Sequence, residues 1–143
     1  MASLAKIVDV LGGETVFGRH LGSMLELRQA VVAGLPKRAV THVAGAVAAT
    51  PKQRRAVIHR IVPEATYKRR RDRLSLSESE KTERLARLAA AAFEVWGEAD
   101  GRAFLSNPHP MLGGETPLDA AATDLGAREV EAILRAIEAG LPV

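Results

Sequence analysis

Nine lysines and arginines crowd into residues 52–73 of this 143-residue chain: Lys52, Arg54, Arg55, Arg60, Lys68, Arg69, Arg70, Arg71 and Arg73. Only Glu64 and Asp72 oppose them, a local balance of +7. Residues 74–143 hold six basic and twelve acidic residues, a balance of −6. Such a block can neutralise phosphate, and a basic stretch beside an acidic half suggests two partners of different character. Nucleic acid is the candidate for the first. A solvated basic face, or self-association in which the two halves meet, would give the same pattern.

Other chemistry finds little support. His20, His42, His59 and His109 are scattered, and none forms an i, i+4 pair around a helical glutamate, so a zinc-protease motif is absent. No Gly-x-x-x-x-Gly-Lys-Ser/Thr loop occurs, and Leu112-Gly113-Gly114 follows a proline-rich segment and reads as a turn. Glu129 and Glu131 point to different sides of a helix. The chain has no cysteine, which excludes a disulfide scaffold and a thiolate metal site and fits a reducing compartment. An enzyme is therefore not expected, nor a metal or cofactor. With no membrane-length apolar run and no cleavable leader in Met1–Leu11, the expected location is the cytoplasm.

The elements that must carry the basic block are helical. Apolar residues make up 47% and aromatics only 3%, alanine and leucine dominate, and no alternating run long enough for a sheet appears. The expected fold class is all-α. Gly12-Gly13 and Gly34-Leu35-Pro36 mark turns around a helix near 23–33, with Ser23 as its cap and Gly34 past its end. Three short helices fit between residues 37 and 73: Lys37–Ala49, then Pro51 to about Ile61 after the Thr50 cap, then Pro63–Arg73. The few-residue turns between them have helix-turn-helix spacing. Thr66 and Tyr67 lie near the start of the third helix, where recognition helices contact bases. Lys68, Arg69, Arg70 and Arg71 sweep nearly a full turn, so some would enter a groove while others neutralise phosphate. Thr66, Tyr67, Lys68, Arg69 and Arg70, with Arg54 and Arg55, form the candidate DNA-binding set.

Ser77-Glu78-Ser79-Glu80 reads as a capping box opening a helix with Leu85, Leu88, Ala89, Ala92 and Trp96 on one stripe, ended by Gly97. A short helix should hold Arg102–Leu105, and Asn107-Pro108-His109-Pro110 must be extended. Thr116-Pro117 starts another helix that Gly126 should break. The last, about Ala127–Ala139, shows Val130, Ile133, Leu134 and Ile137 as a core-facing stripe. Arg128, Glu131 and Arg135 lie on its other side as interface candidates, and Asn107 heads a proline-stiffened loop that offers another contact.

Several of these segments resemble a known family. Pro63-Glu64-Ala65-Thr66-Tyr67-Lys68-Arg69-Arg70, and then Leu74 through Leu88, resemble an antitoxin Xre-like helix-turn-helix region. Ala92-Phe93-Glu94-Val95-Trp96-Gly97, Phe104-Leu105, Asn107-Pro108, Leu112-Gly113-Gly114 and Thr116-Pro117-Leu118-Asp119 resemble the toxin-binding domain of MbcA/ParS/Xre antitoxins. Phe104-Leu105 stands where that family usually has Trp-Leu, and Trp96-Gly97 where it has Phe-Gly. The resemblance implies an Xre-like helix-turn-helix over residues 1–74 and a small helical toxin-binding domain over 75–143. It further implies neutralisation of a RES-domain, NAD-depleting toxin, dimerisation, and repression of the chain's own operon through operator DNA. The terminus, with Leu141 and Val143, would join the toxin contact. The alternative is a stand-alone helix-turn-helix regulator without a cognate toxin.

Overall fold

A computed structural model describes residues 2–143. Among them there is no strand, only an isolated bridge between Pro36 and Arg73. Two short helices precede the first expected one. Ser3 caps α1 (Leu4–Val10) by accepting from the N–H of Lys6, and Gly12 and Gly13, at φ 113° and 57°, turn the chain into α2 (Gly13–Phe17). The Gly-Gly turn is legible in the sequence. The helices beside it are too short to print a period.

Of the next four helices, the first and third open on side-chain caps, whereas the second and fourth follow a proline that supplies none. In α3 (Met24–Ala33) the Ser23 hydroxyl accepts from the N–H of Glu26 and Gly34 ends the helix. Ala39, Val40, Val43, Ala44 and Val47 give α4 (Lys37–Val47) a fully buried face. Each of its three valines contributes on the order of 1.5–3 kcal/mol by leaving water. Thr50 and Gln53 form a capping box on α5 (Pro51–Ile61), with proline at the first helical position. The helix expected at Pro63–Arg73 is much shorter: α6 runs Glu64–Arg69 and the chain is extended at Arg70. The cause lies just downstream. Lys37 donates its N–H to the Asp72 carbonyl, Leu74 donates to Leu35, and the Arg73 guanidinium donates to the Gly34 carbonyl. A helix through Arg73 would break this short pairing.

The long helix α7 (Leu76–Ser106) also starts differently from expectation. Its cap is Ser75, and the capping box pairs Ser75 with Glu78, not Ser77 with Glu80. Both spacings satisfy the rule. Tertiary contacts choose between them, because Ser79 is fully buried and its hydroxyl accepts from the N–H of Leu35. Gly97 interrupts the helix as expected, at φ 81° and ψ 172°. The interruption is a reversal. A Cβ on Gly101 would lie 3.1 Å from the Ala92 carbonyl oxygen and 2.6 Å from the Phe93 ring, whereas nine residues of straight helix span about 13.5 Å. The second arm runs well beyond the expected Arg102–Leu105.

A 3-10 turn (Pro110–Leu112) then leads to α8 (Pro117–Ala120), capped by Thr116, and α9 (Asp124–Glu138), capped by Thr123. Gly126 does not break a helix. It sits in the first turn of α9 and donates its N–H to the Thr123 hydroxyl. α9 closes as a Schellman motif, with Gly140 donating to Ile137 and Leu141 to Ala136.

One core joins everything. α7 packs against α1, α3, α4, α5, α8 and α9, so its middle, Leu88 to Phe93, is buried on every side. The expected single stripe is thereby replaced by an all-round apolar segment. Leu85 and Trp96, at its ends, are only half-buried.

Candidate functional site

The basic block occupies α5, the short turn at Val62-Pro63, α6 and the pairing segment behind it. α6 stands on α4 and α5 through Tyr67. The Tyr67 ring packs edge-on to His59 at 5.9 Å, its hydroxyl lies 3.0 Å from the Thr41 hydroxyl, and the Lys37 ammonium sits 4.1 Å above its face. Tyr67 therefore anchors the helix from its inner side. Thr66 and Arg69 lie one turn apart, with the guanidinium of Arg69 donating to the Thr66 hydroxyl at 3.4 Å. Lys68 forms an exposed i, i+4 pair with Glu64 at 3.3 Å, a contact that water and salt leave weak.

The cations of the block differ in what holds them. Arg54 donates to the carbonyls of Ala48 and Ala49, closing the end of α4. Arg60 pairs with Asp119 on α8. Arg73 is held by Gly34, as above. Arg70 makes a two-pronged bond to Glu78, Nε to Oε1 at 3.0 Å and the terminal nitrogen to Oε2 at 3.2 Å. The Glu78 side chain is only 10% exposed. Burial pushes its pKa up, but the bonds from Arg70 and from Ser75 outweigh this and hold the carboxyl below its ordinary value. Lys52, Arg55 and Arg71 are exposed and have no partner among the described residues. The sequence places all nine cations alike; the fold separates them.

The second candidate surface is built by α9 on α7. Val130, Ile133 and Leu134 face inward and are buried, as their spacing requires. Glu131, expected on the outer side, is buried as well: Arg87 on α7 donates to Oε1 at 3.1 Å and Arg135 to Oε2 at 3.4 Å. Arg87 also pairs with Glu83 at 3.1 Å. Burial, with the Glu131 charge adding to it against the pull of Arg87, raises the Glu83 pKa above its ordinary value. This chain of charges fixes α9 on α7. Arg128 stays outside, paired with Asp124 at 3.0 Å. Arg135, Asn107, Leu141 and Val143 are exposed, as are Leu125 and Met111, which the sequence reading did not single out. The expected break at Gly126 puts Leu125 outside the last helix; once it belongs to α9, helical period sets it about 180° from Leu134, on the outer side.

The two aromatic exchanges also find a place. Trp96 and Phe104 lie on the two arms of α7 and meet with ring centroids 4.5 Å apart. One aromatic pair closes the reversal at Gly97, so swapping which arm bears the larger ring keeps the contact.

Among the described residues no group of acidic or histidine side chains is placed to hold a metal ion, and no helix is long and apolar enough to cross a membrane. No curated protein matches the chain. Two family models do. Residues 26–87, spanning α3 to the first turns of α7, match the antitoxin Xre-like helix-turn-helix domain. Residues 91–140, from the middle of α7 to the end of α9, match the antitoxin Xre/MbcA/ParS C-terminal toxin-binding domain. Neither describes an enzyme. With a helix-turn-helix that carries the basic block and a toxin-binding unit folded onto the same long helix, the chain belongs to the Xre/MbcA/ParS family of antitoxins.

Proposed function

We propose that this antitoxin neutralises a RES-domain, NAD-depleting toxin by direct binding and represses its own operon through its helix-turn-helix. The observation that carries the reading is the match of residues 91–140 to the toxin-binding domain, in a fold that leaves apolar side chains outside there. Leu125 within that stretch is 66% exposed, and Leu141, one residue beyond it, 60%. With Val143, Arg128, Arg135 and Asn107 they form the proposed toxin face, and Glu131 positions α9 from within. Exposed apolar side chains rimmed by charge are the usual makings of a protein interface.

On the other side, Thr66, Lys68 and Arg69 of α6, with Arg55 of α5, are the proposed DNA contacts, while Arg54 and Tyr67 support them. A homodimer belongs to the same reading, since paired recognition helices match two half-sites. Met24, Leu25 and Val32 stand exposed on α3 and offer an apolar face for it.

Co-expression with the RES-domain reading frame beside the gene tests the proposal. Growth and cellular NAD should both be restored. A toxin that still arrests cells in the presence of the folded chain refutes neutralisation, and the lack of any such neighbouring frame turns the reading to a stand-alone regulator.

A further inference from the structure

Arg70 belongs to the basic run, yet its geometry sets it apart from its neighbours. Its guanidinium fork is fully matched to a carboxylate that is itself fixed at the start of α7, because Glu78 Oε1 also accepts the Ser75 N–H at 2.7 Å. Fork-on-fork pairing of this kind fixes direction as well as distance. Arg70 is the residue that ends α6, its own N–H donating to the Thr66 carbonyl at 3.0 Å. The pair therefore joins the end of the recognition helix to the beginning of the helix that runs through the core.

We propose that Arg70 is a positioning residue and not a phosphate contact: by gripping Glu78 it aims α6, and Lys68 and Arg69 meet the DNA. The proposal rests on the DNA-binding reading above, and its test separates the two.

Glu78→Gln gives opposite results under the two roles. Gln can still complete the capping box, so α7 keeps its start. If Arg70 met phosphate, removing the acid would free the cation, and binding of a duplex covering the DNA immediately upstream of the gene would tighten. If Arg70 positions α6, binding weakens, by about tenfold for the loss of one charge-assisted pair. Arg70→Gln should weaken binding while leaving the slope of log K against log salt as it is. Arg69→Ala should flatten that slope by about 0.9.

A second readout needs no DNA. Amide exchange at Arg70 in the free, full-length protein should speed up about tenfold in Glu78→Gln and stay unchanged in Arg69→Ala. Tighter or unchanged DNA binding by Glu78→Gln, a flattened slope in Arg70→Gln, or unchanged exchange at Arg70 in Glu78→Gln overturns the proposal. A wild-type chain that binds no duplex refutes the DNA reading alone, and the exchange result still decides the role of Arg70.

Discussion

Replacing Gly126 with alanine sets two physical effects against each other with opposite signs. Gly126 lies in the first turn of α9 at an ordinary helical conformation. Helix propensity alone therefore predicts that Gly126→Ala stabilises the protein by roughly 0.5–1 kcal/mol. The tertiary structure predicts the reverse. The added Cβ would lie 1.7 Å from the Ala120 carbonyl oxygen and 2.6 Å from its carbon. Those are backbone atoms at the end of α8, so no side chain can swing aside. α8 and α9 would have to move apart by more than an ångström. Overpacking of that kind costs about 1–3 kcal/mol, and the upper part of the range fits a clash with backbone. The net expectation is a loss of about 2 kcal/mol, which lowers the melting temperature by about 4–8 °C for a chain of this size. Gly45→Ala in α4 is the control, since its Cβ would meet nothing within 4 Å; it should stabilise by roughly 0.5–1 kcal/mol. Urea or thermal unfolding of both variants measures the difference. If Gly126→Ala melts at or above the wild-type temperature, the account of the α8–α9 joint is wrong.

Three further outcomes follow from the same contacts. The depressed Glu78 carboxyl stabilises the fold above its unfolded value near 4.5 and loses that contribution as pH falls through the lower folded value. Acid unfolding of Glu78→Gln should therefore lack a step seen below pH 4.5 in the wild type. Glu83 has the opposite sign: its raised value means that ionisation costs stability, and the cost disappears as pH falls through a folded value above 4.5. Stability curves of Glu83→Gln should be flatter in that window, and an unaltered curve would contradict the burial argument. Leu141→Ala with Val143→Ala should change unfolding free energy by no more than about 0.5 kcal/mol, because both side chains are exposed. The same double variant should release a captured RES toxin faster, and an unchanged off-rate would remove the tail from the toxin face.

What the sequence alone determines here is what acts within a few residues. Ser23, Thr50 and Thr116 are caps in the structure because an N-cap needs only its own helix's second or third N–H. Gly97 interrupts α7 for a similarly local reason, and the stripe Val130, Ile133 and Leu134 faces inward because helical period alone puts it on one side. The crowding of cations into residues 52–73 is likewise a property of composition. Tertiary structure decided the choices that local rules leave degenerate. Ser75-x-x-Glu78 and Ser77-x-x-Glu80 are equal as capping boxes until Leu35 and Arg70 arrive to claim Ser79 and Glu78. Gly126 reads as a breaker, yet it is a glycine because the Ala120 carbonyl occupies the space of a side chain. Glu131 has the position of an outward residue until Arg87, 44 residues earlier, reaches its carboxylate. The basic run was sharpened most: the long-range pairing of Leu35–Lys37 with Asp72–Leu74 ends α6 early, and partners near and far in the chain hold Arg54, Arg60, Arg70 and Arg73. Charge is written in the sequence, but whether a charge is free to meet a partner depends on contacts that only folding brings together.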